Sequence, residues 1–165
     1  MTAREPFERV VAAHGTAVLR VCRALLDPHD ADDAWSSTFL AAMQAYPALP
    51  DGSNVEGWLV TIAHRKAIDV LRARTRAPLP VEEPPEEVST VGLPGSGDLD
   101  LAAAVRRLPE KQRRAVGYHY LGGLPYREVG ALTDQSPEAA RRSAADGVKA
   151  LRRLLTTDGS EGASR

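Results

Sequence analysis

The sequence predicts an all-α protein made of two small helical units that are joined by a flexible acidic linker. Aromatic residues make up only 5% of the 165 residues, and apolar residues recur at spacings of three and four on both sides of one interruption. That interruption, 77–98, is dense in Pro, Gly and Glu, so it cannot bury a core. The chain therefore divides into units at 1–76 and 99–155, with a tail at 156–165 that we expect to be disordered.

Three helices are predicted in the N-terminal unit. The first ends before Pro28 and carries Cys22 on its apolar face, where a buried thiol is expected. Asp30 is the expected N-cap of the second helix, which stops at Pro47. A polar, turn-rich loop then leads to the third helix, over 54–76.

The third helix carries a basic stripe. At 100° per residue, Arg72 and Arg76 each fall about 20° from Arg65, so the three side chains share one face of the helix. A basic helix beside a loop is suited to holding a phosphate backbone. Alternatively these charges form a solvated face, with Asp69 pairing the first two arginines at helical spacings.

Four helical segments are predicted in the C-terminal unit, at about 98–108, 110–121, 125–133 and 136–155. The last two are joined by a tight break at Thr133, Asp134 and Gln135, which is the helix-turn-helix arrangement that places its second helix in a DNA major groove. Ser136 is a suitable N-cap and Pro137 fits the first turn. The alternative is an ordinary helical hairpin with solvated arginines.

The charge distribution favours nucleic acid as the partner of this second unit. The whole chain has a net charge of −1, yet residues 101–155 hold eleven basic and five acidic side chains. Residues 77–100 hold six acidic side chains and no basic one. The whole-chain average thus conceals a local basic footprint.

Three sequence blocks resemble those of bacterial sigma factors of the sigma-70 family, in the extracytoplasmic-function (ECF) group. The first block is similar to D-A-E-D-x-x-Q-x-x-F and matches at Asp30, Ala31, Asp32, Asp33 and Phe39. The second is similar to W-L-x-x-I-A-x-N-x-x-x-D-x-x-R and matches at Trp58, Leu59, Ile62, Ala63, Asp69 and Arg72. The third resembles the region-four domain, with Leu108, Pro109, Arg114, Tyr126, Glu128, Leu132, Ser136 and Leu151 in register. Together the blocks and the linker extend the resemblance over 5–155.

The resemblance implies a subunit that binds core RNA polymerase, recognises promoter DNA and initiates transcription. Docking on the polymerase β′ clamp helices is implied for Asp32, Asp33, Ser36, Phe39 and Leu40. DNA contacts are implied for Asn54, Arg65, Lys66, Arg72, Arg76, Ser136, Glu138, Arg141 and Arg142. The loop at 47–57 would hold a base flipped out at the minus-ten element, and the helix from Ser136 would read the minus-thirty-five element. The polymerase β flap and an anti-sigma factor are the other implied partners.

Several residues depart from the family pattern. Ser36 replaces a glutamine, and Arg65 replaces an asparagine. In the recognition helix, Ser143 and Asp146 stand at two positions that are usually basic, and Gly147 weakens the helix by roughly 1 kcal/mol. Weakened minus-thirty-five binding is therefore expected.

Other classes of function find little support in the sequence. The histidines lack metal-ligand spacing relative to Cys22, and no phosphate-binding loop or nucleophile motif is present, so neither an enzyme nor a bound metal or cofactor is expected. The charged start of the chain and the lack of long apolar runs favour a cytoplasmic protein without membrane insertion. Two alternatives to a working sigma factor are a degenerate sigma-like regulator that reads DNA poorly and a plain helix-turn-helix repressor. The linker composition further predicts that the two units tumble semi-independently.

Overall fold

The regular elements that the computed structural model shows are all helical, which confirms the predicted fold class. The structure describes residues 4–76 and 96–162, and it describes side-chain environments within 4–76 and 101–156. The α-helices are α1 (Phe7–Leu25), α2 (Pro28–Ala45), α3 (Val55–Arg76), α4 (Ser96–Arg106), α5 (Glu110–Val116), α6 (Tyr126–Thr133) and α7 (Pro137–Gly162). A 3₁₀ turn (Tyr46–Ala48) follows α2, and a π turn (Gly117–Leu121) continues α5. Residues 77–95, most of the predicted linker, lie outside the described residues.

Helices α1, α2 and α3 form the N-terminal unit around fully buried apolar side chains such as Val18 and Leu59. Helix α2 begins at Pro28, and its cap is Asp27, whose Oδ1 accepts the Asp30 N–H at 2.9 Å. The prediction that Asp30 is the cap was wrong, because a proline occupies the first helical position and moves the start of the helix upstream. Asp30 instead pairs with Arg74 of α3.

The helix-turn-helix has the local geometry that the sequence predicts. The Ser136 hydroxyl accepts the Ala139 N–H at 3.1 Å, so it caps α7, and Pro137 is the first residue of that helix. The turn is closed by Asp134, which adopts the left-handed conformation at φ 54°. The end of α7 differs from the prediction, because the helix includes residues 156–162 of the tail that we expected to be disordered.

The two units pack together and share one hydrophobic core. The π turn and the following loop bury Tyr118 and Leu124 in the same cluster as Val18, Leu59 and Val60. This arrangement contradicts the expectation that the units tumble semi-independently. Tyr118 lies within the helix predicted over 110–121 and Leu124 lies in the loop that follows, and neither position indicated that the other unit would cover its side chain.

Candidate nucleic-acid interface

Helix α2 presents an exposed face on which acidic and apolar side chains lie together. Asp32, Asp33 and Ser36 are exposed, and Leu40 is 56% exposed. Phe39, which was expected on this surface, is only 6% exposed, because its ring packs against Trp35 with the centroids 4.8 Å apart. Phe39 is therefore a core residue in this structure.

One member of this exposed face was not predicted from the sequence. Met43 is 50% exposed and follows Leu40 by three positions, so the two side chains are neighbours on the helix surface. The spacing of Met43 from Leu40 could have indicated that both belong to one exposed apolar surface, but the same spacing also predicts a position in the core. Large apolar side chains exposed side by side and rimmed by carboxylates are typical of a protein-binding surface.

The loop before α3 is organised by Asn54. Its Oδ1 accepts the Gly57 N–H at 3.2 Å, so the side chain caps the helix. Beside it lies a cleft of about 300 Å³. One wall is formed by Asn54, Gly57, Trp58 and Thr61, and the other by Glu128, Ala131 and Leu132 of α6. The loop that was expected to hold a flipped base therefore faces the helix-turn-helix unit.

The basic stripe of α3 is open to solvent. Arg65, Arg72 and Arg76 are exposed, whereas Lys66 is half-buried. Within the described residues, Asp69 forms no ion pair with Arg65 or Arg72, so the alternative of a salt-bridged face lacks its expected contacts. Arginines of the same helix thus differ in role: the stripe faces outward, while Arg74 binds Asp30 and also Asp27 at 3.4 Å.

His64 of α3 faces the other unit. Its Nδ1 forms a hydrogen bond with the Tyr118 hydroxyl, and the two rings meet edge to face with centroids 5.2 Å apart. Burial lowers the pKa of His64, and the positive charges of Arg114 and Arg65 lower it further. Burial also raises the pKa of Tyr118 well above its ordinary value. Both groups are therefore neutral at pH 7, so the hydroxyl donates and the imidazole accepts.

The recognition helix α7 exposes Glu138, Arg141 and Arg142, as expected for residues that contact DNA. Ser136, another predicted DNA contact, uses its hydroxyl to cap the helix. A hydroxyl oxygen has a second lone pair and a proton, so the cap leaves the group able to donate to a phosphate.

The departures from the family pattern in α7 have different structural roles. Ser143 is half-buried, and its hydroxyl bonds Gln135 Oε1 at 3.1 Å, whereas Asp146 is exposed. Gly147 is buried against α5, and a β-carbon at that position would lie 2.6 Å from Val116 Cγ2. The glycine is therefore a close-packing position between two helices, which the sequence did not reveal.

Three further observations concern the chemistry and the environment of the described residues. No group of three or more His, Cys, Asp or Glu side chains among them is placed to hold a metal ion. None of the helices in the described ranges is long and apolar enough to cross a membrane. Cys22 is buried, and burial raises the pKa of its thiol to about 12, which leaves the thiol protonated and unreactive.

Two family models match the chain in the order in which its units occur. Residues 10–77 match "Sigma-70 region 2", and residues 98–151 match "Sigma-70, region 4". The RNA polymerase sigma factor CarQ of Myxococcus xanthus is 30% identical over 160 residues, covering 93% of this chain and 91% of CarQ. The ECF RNA polymerase sigma factor SigE of Mycolicibacterium smegmatis is 30% identical over 171 residues, covering 96% of this chain and 65% of SigE.

Solved structures share the fold. The sigma factor RpoE of Bartonella quintana, solved with the anti-sigma factor NepR, superposes with a TM-score of 0.69 at 20% identity, covering 92% of this chain and 98% of RpoE. CnrH, solved with the cytosolic domain of CnrY, gives a TM-score of 0.63 at 22% identity, covering 92% of this chain and 88% of CnrH. At these identities the likeness concerns the fold alone.

Proposed function

Because this chain belongs to the ECF group of the sigma-70 family, it directs RNA polymerase to promoters, and we propose which of its surfaces performs each part of that task. Members of this family are specificity subunits and not enzymes. The observation that carries the proposal is the presence, on one chain, of an exposed mixed apolar and acidic face on α2 and two separate basic helices, α3 and α7.

The exposed face of α2 is the proposed docking surface for the β′ clamp helices of core polymerase. Leu40 and Met43 supply apolar contact area, and Asp32, Asp33 and Ser36 supply its polar rim. Phe39 supports this surface from within the core rather than by contact. The C-terminal unit is the proposed partner of the β flap, and the complex acts in the cytoplasm.

The loop at 47–57 and the basic stripe of α3 form the proposed minus-ten surface. Asn54 and Trp58 offer a polar group and an aromatic side chain beside one cleft, a combination suited to an extruded base. Arg65, Arg72 and Arg76 project to solvent, where they neutralise phosphates of the opening duplex.

Helix α7 is the proposed minus-thirty-five reader. Ser136 and Glu138 lie at its start, and Arg141 and Arg142 lie one turn further, which is where recognition helices contact base edges. Exposed Asp146 repels phosphate on this helix, so we propose that upstream binding is weaker than downstream binding.

The closed packing of the two units implies an opening step. In the free chain α6 forms one wall of the cleft beside Asn54 and Trp58, so the minus-ten surface is partly covered. We propose that docking on polymerase separates the units and frees the loop. An anti-sigma factor, as solved with RpoE, is a further proposed partner.

Run-off transcription with purified core polymerase tests this assignment. A working sigma factor starts transcripts at a promoter, and the variant Arg72→Ala with Arg76→Ala starts fewer of them. A degenerate sigma-like regulator would bind core polymerase without initiating, and that result would contradict the proposal. If the wild-type holoenzyme does initiate, a promoter-selection experiment with it identifies the minus-ten and minus-thirty-five elements.

A further inference from the structure

An arginine–aromatic contact joins the two helices of the helix-turn-helix. The Arg141 Cζ on α7 lies 5.2 Å from the centroid of the Tyr126 ring, and Tyr126 is the first residue of α6. This distance is within the range of a cation–π interaction. Arg141 is exposed, so the contact is at the surface that faces away from the core.

The Tyr126 ring is itself held in place by neighbouring side chains. The His119 ring stacks on it with the centroids 3.9 Å apart and an interplanar angle of 17°. His119 is fixed in turn, because its Nδ1–H donates to the Leu124 carbonyl at 2.8 Å. The Tyr120 ring packs edge to face against this cluster, with its centroid 4.9 Å from that of His119. Arg141 therefore rests on a ring whose position is set by its neighbours.

An aromatic ring and a carboxylate hold a guanidinium group in different ways. A carboxylate occupies the N–H donors and neutralises the charge, as Glu110 does to Arg114 and Asp30 does to Arg74. A ring attracts the cation and leaves the planar N–H edge open. Within the described part of the chain, Arg141 forms no ion pair with a carboxylate, so its full charge and its donor edge stay available.

We propose that Tyr126 is a positioning residue that holds Arg141 ready to contact a guanine in the major groove of the upstream promoter element. Guanine is the base that fits, because its O6 and N7 accept two parallel N–H bonds from one arginine. Restricting the side chain before binding lowers the entropic cost of binding. The proposal rests on the proposed role of α7, since it requires Arg141 to reach a base.

A double-mutant cycle tests the proposal. Holoenzyme made with each variant is titrated with duplexes that carry only the upstream element, both the preferred sequence and single-base replacements. Arg141→Ala should reduce the preference for one guanine about tenfold. Tyr126→Leu should reduce the same preference about threefold, and Tyr126→Phe should retain most of it because the ring remains. The variant that combines Tyr126→Leu with Arg141→Ala should equal Arg141→Ala alone.

Arg142→Ala is the matched control, because Arg142 is exposed and adjacent but has no ring contact in the described structure. Its effect should add to that of Tyr126→Leu. If the effects of Tyr126→Leu and Arg141→Ala also add, the two residues act independently and the proposal is overturned. It is likewise overturned if Tyr126→Leu lowers the melting temperature and weakens binding to every sequence equally, because Tyr126 then has only a structural role. If Arg141→Ala leaves base preference unchanged, the assignment of Arg141 to DNA fails as well.

Discussion

The imidazole of His64 and the hydroxyl of Tyr118, 54 positions apart in the chain, form a hydrogen bond that joins the two units. A second junction lies where Arg106 donates to the carbonyls of Arg23 at 2.5 Å and Leu26 at 3.4 Å. Both junctions add polar contacts to the apolar packing of the shared core. The free chain is therefore held closed by two kinds of interaction.

A disulfide between the units should lock this closed form. A β-carbon at Gly117 would lie 3.7 Å from the Ala24 β-carbon, close to the roughly 3.8 Å that separates the β-carbons of a disulfide. We expect Ala24→Cys with Gly117→Cys, in a Cys22→Ala background, to lose run-off transcription when oxidised and to recover it with a thiol reductant.

Each single-cysteine variant in the same background is the control for this lock, because neither can form the bridge. Their transcription should not depend on the reductant. Full activity of the oxidised double variant, with the bridge verified by mass spectrometry, would show that transcription does not require the units to separate at this point.

Lowering the pH should weaken the closed packing through His64. The pKa of this side chain is lowered in the folded chain from an ordinary value of 6.5, so the unfolded state takes up more protons as the pH falls. The contribution of neutral His64 to the free energy of unfolding is therefore fully present above about pH 6.5 and is lost as the pH falls below that value. Thermal unfolding of wild type between pH 7.5 and pH 5.5 should show a larger fall in melting temperature than unfolding of His64→Gln. His29→Gln, which alters an exposed histidine, is the control and should behave like wild type. If the melting temperature falls equally in wild type, His64→Gln and His29→Gln, His64 is not responsible for the pH dependence.

Gly147→Ala should destabilise the protein although alanine is the better helix former. The substitution gains about 1 kcal/mol of helix propensity, but the added carbon would lie 2.6 Å from Val116 Cγ2, and overpacking of this kind costs about 1–3 kcal/mol. Denaturant unfolding should show a net loss of stability. Asp146→Ala, at the exposed neighbouring position, serves as the control and should not lower stability. A more stable Gly147→Ala protein would mean that α5 and α7 are less closely packed than this distance indicates.

Removing the α3 stripe should change the salt dependence of promoter binding. Arg72→Ala with Arg76→Ala should lower affinity and reduce the slope of log affinity against log salt by about 0.9 for each phosphate that is no longer neutralised. Arg74→Ala is the matched control on the same helix turn, because Arg74 is paired with Asp27 and Asp30. It should affect stability more than the salt slope. If the double variant has the same salt slope as wild type, Arg72 and Arg76 do not contact the DNA phosphates.

Charge reversal on α2 should weaken binding to core polymerase. Asp32→Lys with Asp33→Lys alters two exposed carboxylates, so the fold should survive while the docking surface changes sign. Leu40→Ser with Met43→Ser should weaken docking by removing apolar contact area. The measurement is the affinity of each double variant for core polymerase. Circular dichroism of the same samples checks that the variants are folded. Wild-type affinity in both double variants would remove α2 from the interface.

Local sequence signals determined the helices and the turn between α6 and α7. Ser136 and Pro137 mark a helix start because capping and φ restriction act within a few residues. The spacing of Arg65, Arg72 and Arg76 places them on one face because 3.6 residues complete a turn, and all three are exposed. These features need no knowledge of the rest of the chain.

Tertiary structure alone decided which surfaces meet. Phe39 and Leu40 are adjacent apolar residues, yet one packs on Trp35 and the other faces solvent. Gly147 costs helix propensity in isolation and is required only because Val116 approaches it from another helix. Periodicity identifies an apolar face but carries no information about the element that covers it, since that depends on contacts between distant parts of the chain. The shared core of the two units, which includes Tyr118, was therefore visible only in the folded structure.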